Sequence, residues 1–312
     1  MERRDFLRLL GMTFAAPLPL LRSLLDPLRA VPGAVAALTP LHLVGLRTPP
    51  LHGPRWTEAK LLREPAESLQ EMSRAAQADG VRVWARCGHR SLSQQRYLWN
   101  AKYRGLDPVR TEDGRYRTLT PDQPAAEKVR RILSYTAFPG TSRHHWGTDV
   151  DMAQTFADGC ADRLLRQGSP PPAEAPTAPP AEGSSSVAAE AERSLDDCLP
   201  TQRWLAARAH EFGWYLVYDV PRGGFQPEPW HWSYLPFAVP TLARYLEEVD
   251  PDLLRDRGID GAEVVLDDFA AYRDRFLLGV CPDALPEGAR SAVSPAASPT
   301  AVPPGASPPA VP

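Results

Sequence analysis

Proline decides how much of this chain can fold. Of its 312 residues 35 are proline, about twice the ordinary share of ~5%, and they are bunched. Residues 168–193 carry six prolines, seven alanines and four serines with no aromatic, and residues 285–312 carry eight more prolines in the same company. Such segments lack the apolar side chains that offset the entropy of ordering a backbone. The expectation is therefore one domain over residues 37–284, interrupted by a flexible insert at 168–193 and followed by a disordered Pro/Ala/Ser tail at 285–312. With 43% hydrophobic residues overall, the remainder is rich enough for a substantial core. A net charge of -3 provides no field for holding phosphates, which argues against nucleic acid as a partner. The four cysteines lack C-x-x-C spacing, so neither a disulfide scaffold nor a thiolate zinc finger is expected.

The first residues pair Arg3 with Arg4 ahead of Phe6 and Leu7, and an apolar run from Leu9 to Leu21 follows. This is the pattern of a twin-arginine export signal, with Ala34-Val35-Ala36 as a small-residue cleavage site. The run is interrupted by Pro17 and Pro19 and is too short for ~30 Å of hydrocarbon. Residues 1–36 are thus expected to be a signal and not a stable membrane span, the other reading being a cytosolic amphipathic helix. Export would place the protein in the periplasm or at the cell wall, in an oxidising compartment. There Cys160 and Cys198, which flank the insert, are either paired or free thiols, and Cys87 with Cys281 is a further conceivable pair.

Apolar periodicity predicts helices over most of Thr57–Ala78, and over Ser91–Tyr103 with Ser91 as N-cap, Pro124–Tyr135, Gln202–Phe212 stopped by Gly213, Phe237–Val249 and Ala262–Leu278. Alternation predicts strands at Val81–Arg86, Trp214–Tyr218 and Trp230–Tyr234. Few, short strands with unequal connections favour an α+β domain with a small antiparallel sheet flanked by helices.

Two regions join histidine to carboxylate. The first is Ser142-Arg143-His144-His145-Trp146-Gly147-Thr148-Asp149-Val150-Asp151, and the second is Glu228-Pro229-Trp230-His231. Neutral imidazole and carboxylate are zinc ligands, and three of them with one position left open make a catalytic site. His144 and Asp151 can meet if a turn at Gly147 leads into a strand from about Thr148. On a straight strand Glu228 and His231 would face opposite ways, and Pro229 marks an edge or bulge where the alternation resets.

Taken in order, S-x-H-x-x-G-x-x-x-D and then E-P-W-H resemble the VanY-type zinc D-alanyl-D-alanine carboxypeptidases, related in fold to lysostaphin-like and hedgehog-like zinc domains. Upstream, Gly88-His89-Arg90-Ser91 with Gln95 downstream is similar to that family's G-Y-R-S element. The resemblance spans about Val81 to Tyr234. It implies Zn2+ on His144, Asp151 and His231, Glu228 as catalytic acid/base, and Arg90 on the scissile carbonyl oxygen, with Ser142 and Gln95 toward the substrate; Trp230, beside His231, is read separately as an aromatic able to line a peptide-binding groove. The resemblance also implies a peptidoglycan stem peptide as substrate; the chain is expected to act as a monomer. Two positions depart from the pattern: Asp149 stands where many relatives have alanine, and Ser233 where arginine often follows. Asp149 would orient a ligand histidine or bear on substrate choice.

Blander readings stand beside these. His145 reads as a packed core histidine, Arg90 as a surface ion-pair residue, and two of Trp146, Trp230 and Trp232 as core. An L,D-carboxypeptidase, an endopeptidase, or a zinc-bearing wall-binding module without turnover remain alternatives. Glu228 speaks against the last, because a binder needs no base.

Overall fold

The computed structural model describes residues 31–53, 57–112, 114–152 and 200–290. The arginine pair, the insert at 168–193, Cys160 and Cys198 lie outside the described residues. Four antiparallel strands form the sheet that carries the site: β1 (Ala85–Cys87), β4 (Asp149–Met152), β5 (Trp214–Leu216) and β6 (His231–Tyr234), in the order β1-β4-β6-β5. β2 (Val109–Arg110) and β3 (Tyr116–Arg117) make a separate hairpin. The longer helices are α1 (Arg63–Ala78), α2 (Leu92–Tyr103), α3 (Ala125–Ile132) and α4 (Leu235–Glu248). The expected α+β class with a small antiparallel sheet is what the chain adopts. No helix among the described residues is long and apolar enough to cross a membrane.

Strand alternation sorts the central pair into two chemistries. On β4, Val150 and Met152 point away from Asp149 and Asp151; on β6, Trp232 and Tyr234 point away from His231 and Ser233. The apolar set packs with Leu69, Met72 and Ala76 of α1 and with Trp214 of β5 in one buried cluster. The polar set faces the other way, toward a second cluster that includes Trp99, Phe138, Trp146, Tyr245 and Tyr272. All eight residues are buried, so the polar four have to be satisfied by one another or by a ligand.

Several elements differ from expectation for identifiable reasons. The helix expected over most of Thr57–Ala78 starts at Arg63, and the first residues of that segment are not part of it. Leu61 instead exchanges backbone hydrogen bonds with His52, and Leu62 donates to the Gly147 carbonyl at 2.9 Å. Both leucines are buried in extended backbone. The strand expected at Val81 contracts to Ala85–Cys87. The single C-terminal helix expected over Ala262–Leu278 is broken: Ala262–Leu266, Phe269–Tyr272 and a π-helical turn Arg273–Leu277 follow one another, because the Asp268 side chain accepts from Ala271 N and caps a new start. Ser91 does cap α2, with Gln94 completing a capping box. Gly213, at φ 81°, ends the helical stretch 200–212.

Both expected domain edges fall inside folded segments. Val35 is fully buried, and its carbonyl accepts from Arg244, so the packed body includes residues assigned to the signal. Leu285 is also fully buried, followed by a helical turn at Glu287–Arg290. Cys281 N donates to the Val217 carbonyl at 2.9 Å and ties this end to the segment after β5. Cys87 and Cys281 are both free thiols; the first lies beside Arg90 at the site, the second in the apolar core, and they are not paired.

Candidate active site

The site forms where a turn, a strand pair and a second turn converge. Residues Arg143–Trp146 make a single 3-10 turn that Gly147 ends in the left-handed region at φ 70°. The left-handed backbone favours glycine, and a Cβ there would press on the Leu62 backbone nitrogen at 3.2 Å. β4 then opens with Asp149, and Asp151 stands directly across from His231 of β6. The reset expected between Glu228 and His231 is a reverse turn, not a bulged strand. His231 N donates to the Glu228 carbonyl at 2.9 Å, and Pro229 takes the position after the first residue, which its fixed φ suits.

Each histidine ring is oriented by a hydrogen bond on the nitrogen that faces away from Asp151. His144 Nδ1 donates to the Gly88 carbonyl at 2.8 Å, leaving Nε2 toward Asp151. His231 Nε2 donates to Asp149 Oδ1 at 3.1 Å, leaving Nδ1 toward Asp151. The free nitrogens lie 3.4 Å (His144) and 3.5 Å (His231) from the same atom, Asp151 Oδ1. That oxygen is buried without a hydrogen-bond partner among the described residues. A tetrahedral ion with bonds of ~2.0–2.1 Å separates its ligand atoms by roughly 3.3 Å. An orphaned carboxylate oxygen at that spacing from two imidazole nitrogens fits zinc. Cys87 also approaches His144 and Asp151, with donor atoms within 4.8 Å of one another. Cys87 Sγ is already engaged by Arg90 Nη2 at 3.3 Å, whereas the hydrogen bonds on the far nitrogens of His144 and His231 turn both rings toward Asp151, which favours the His-Asp-His set.

Glu228 Oε2 stands 3.7 Å from His231 Nδ1. Burial raises its pKa to about 7, outweighing the opposing pull of His231. Arg90 reaches toward the same point: Nη2 is 3.7 Å from Asp151 Oδ2, and Nη1 donates to Gln95 Oε1 at 2.6 Å. Gln95 is itself fixed by donating to the Ala137 carbonyl at 2.8 Å. These groups open onto a cavity of about 450 Å3 whose wall also carries Ser142, Trp230, Tyr218 and Lys102. Ser142, Gln95 and Trp230 thus border the space a substrate would enter. His145 follows its core reading: fully buried, it accepts from Gly140 N at 3.0 Å and donates to the Arg90 carbonyl at 2.6 Å.

Arg143 escaped the sequence reasoning. Buried at 3% side-chain exposure beside a fully buried Asp149, it donates from Nε to Asp149 Oδ1 at 2.9 Å and from Nη2 to Ser233 Oγ at 2.8 Å. Burial works against the Asp149 charge, but Arg143 and the His231 hydrogen bond hold its carboxyl well below the usual range. The signal was available in the two unusual positions: an extra buried carboxylate at 149 needs a cation, and the serine at 233 supplies none. Arg143 meets the need from the neighbouring turn.

Comparison with known proteins identifies the family. The family model for the VanY D-alanyl-D-alanine carboxypeptidases matches residues 58–237, more than half of the chain. No curated protein matches. Similar solved structures include VanYB in complex with D-alanine-D-alanine, 19% identical over 67% of this chain and 89% of that one, TM-score 0.37. Another is the vancomycin-resistance D,D-pentapeptidase VanY of a VanB-type cassette with Zn(II), 19% identical over 64% and 85%, TM-score 0.36. The LdcB LD-carboxypeptidase is 16% identical over 66% and 81%, TM-score 0.33. The extent of the family match carries the assignment: this chain belongs to the VanY family of zinc D-alanyl-D-alanine carboxypeptidases.

Proposed function

We propose that this chain removes the terminal D-alanine from peptidoglycan stem peptides outside the cytoplasm, with His144, Asp151 and His231 as metal ligands and Glu228 and Arg90 as catalytic residues. One observation supports the site assignment above others: Asp151 Oδ1, buried and unpartnered, lies at ligand-to-ligand spacing from both free imidazole nitrogens, with Glu228 beside them. Bound there, zinc would supply Lewis acidity to the scissile carbonyl and the attacking water.

The protein's own groups do the rest. Glu228, with a pKa near neutrality, accepts a proton from the attacking water and returns it to the leaving amine. Arg90, braced by Gln95, donates to the oxygen on which negative charge develops. Gly88 and Asp149 hold the two imidazoles in the tautomers that face Asp151. Glu228 so near the ligand set favours an enzyme over a binding module. The arginine pair at Arg3 and Arg4 supports twin-arginine export to the periplasm or wall, and the chain is taken to act as a monomer.

The test is mass spectrometry of defined muropeptides incubated with the zinc-loaded protein. Loss of one alanine from a pentapeptide stem supports the reading. Loss of alanine from a tetrapeptide stem alone would make it an L,D-carboxypeptidase, opening of a crosslink would make it an endopeptidase, and no change would refute hydrolysis.

A further inference from the structure

The cavity carries more positive charge than the reaction centre uses. Besides Arg90, its wall holds Arg110 and Lys102. Arg110 is engaged with aromatic faces, its guanidinium lying 5.0 Å from the Tyr135 ring and 5.8 Å from that of Trp230. Lys102 is placed differently. It follows Gln95 by seven residues on α2, two turns on, so the two side chains share a helix face. Helical side chains lean toward the N-terminus, which carries the lysine stem back toward Gln95. Both then end on adjacent residues of one loop: Gln95 Nε2 donates to the Ala137 carbonyl at 2.8 Å, and Lys102 Nζ to Thr136 Oγ1 at 2.7 Å. Gln95 is also the residue that braces Arg90.

An ammonium has three donors, and Thr136 takes one. Asp107 lies on the same wall, yet among the described residues no carboxylate pairs with Lys102. Burial and the nearby Arg90 charge lower the Lys102 pKa to about 8, against the opposing influence of Glu228 and Asp107. The group is a tethered cation short of counter-charge, on the wall of the same cavity as Arg90 and Glu228. In a carboxypeptidase substrate the terminal carboxylate lies one residue beyond the scissile carbonyl, ~3.8 Å along the chain.

We propose that Lys102 is a specificity-determining residue that binds the C-terminal carboxylate of the substrate, with the Thr136 hydroxyl, whose own proton is not used by Lys102, as a second donor. This rests on the carboxypeptidase reading above and adds to it why cutting is confined to a free chain end. A peptide continuing past the leaving residue brings a neutral amide to that point and leaves the ammonium unpaired in a desolvated cavity.

The experiment compares a stem peptide ending in D-Ala-D-Ala as the free acid and as the C-terminal amide, on the zinc-loaded full chain. The wild type is expected to prefer the acid by roughly 30-fold or more in kcat/KM, the scale on which an unpaired buried charge is penalised. K102M is expected to lose most of that preference, mainly through a higher KM for the acid, with zinc content unchanged. K102Q, which keeps a polar tip for Thr136 without the charge, is expected to lose it too and serves if K102M does not fold. An acid-to-amide ratio unchanged in the variants, or a wild type that cuts both peptides equally, overturns the role of Lys102 while leaving the carboxypeptidase standing. A wild type that cuts neither overturns the carboxypeptidase reading itself, and this inference with it.

Discussion

Removing Asp149 tests whether the buried Arg143–Asp149 pair is coupled and whether it positions a metal ligand, two roles that one carboxylate combines. Asp149 accepts from Arg143 at 2.9 Å, from His231 at 3.1 Å and from Thr148 Oγ1 at 2.5 Å. The pair is almost wholly out of solvent at 3% and 0% side-chain exposure, so screening does not dilute it. Asp149→Ala strands a buried guanidinium, a loss of about 3–5 kcal/mol. For a domain of this size that corresponds to a fall in Tm of roughly 6–20 °C. Arg143→Met strands the carboxylate instead and is expected to cost a similar amount. The double variant removes both charges, and its loss should fall short of the sum by about 2–3 kcal/mol. Because the folded Asp149 is held below its ordinary pKa, its contribution is complete above the unfolded value of ~3.9 and is lost as pH falls below it.

Zinc affinity should follow a different pattern across the same variants. Asp149→Ala frees the His231 ring, and loss of such a ligand-orienting bond lowers metal affinity ~10- to 100-fold. The double variant shows the sub-additive stability loss but no matching gain in affinity over Asp149→Ala, since the hydrogen bond to His231 is still missing. Urea melts on the zinc-free proteins isolate the first quantity, because bound metal would itself add stability; competition with a chromophoric chelator gives the second. Strictly additive losses would refute the coupling of Arg143 with Asp149. An unchanged zinc affinity in Asp149→Ala would refute the positioning of His231.

Other outcomes follow from the same geometry. Glu228→Ala should keep close to one zinc per chain while turnover falls ~100- to 10,000-fold, and His231→Ala should lose metal and activity together, as metal analysis and rate on the same preparations will show. Arg90→Ala should lower kcat ~100- to 1,000-fold with zinc content unchanged, the loss associated with one oxyanion donor; an unaltered kcat would return Arg90 to an ion-pair role. Replacing Arg3 and Arg4 by lysine should leave the protein in the cytoplasm on cell fractionation, and normal export would refute the twin-arginine reading.

What the sequence disclosed about this molecule was local in origin. Ser91 and Gln94 are three residues apart and form a capping box wherever a helix begins there. Gly213 terminates the preceding helical stretch by its own left-handed backbone. The convergence of His144, Asp151, His231 and Glu228 was legible because imidazole and carboxylate at fixed spacing around a glycine or a proline carry chemistry in their identity. The extended course of Leu61 and Leu62 was not legible, since helical periodicity and burial against a distant loop call for the same leucines; their contacts with His52 and Gly147 decide between them. The fold of residues 285–290 was hidden by composition, because Leu285 begins a proline-rich run yet is buried. Arg143 was hidden more deeply, because its partner Ser233 comes near only through the pairing of β4 with β6.

That pairing is what the whole site depends on. A slip of one residue between antiparallel strands turns every side chain of the slipped strand to the opposite face. Here it would carry Trp232 and Tyr234 toward the cavity and turn His231 and Ser233 against α1. Asp149 opposite Ser233 and Asp151 opposite His231 therefore form one unit, in which the Arg143 clamp and the proposed metal ligands occupy neighbouring rungs on the same face of the ladder. The register is set at both entrances: Gly147 turns the chain into β4 with a backbone few other residues tolerate, and the Glu228–His231 turn delivers β6 with Glu228 already beside His231. The proposed ligands and base are thereby positioned by the same two turns that align the strands, which brings residues some eighty positions apart in the chain to one point.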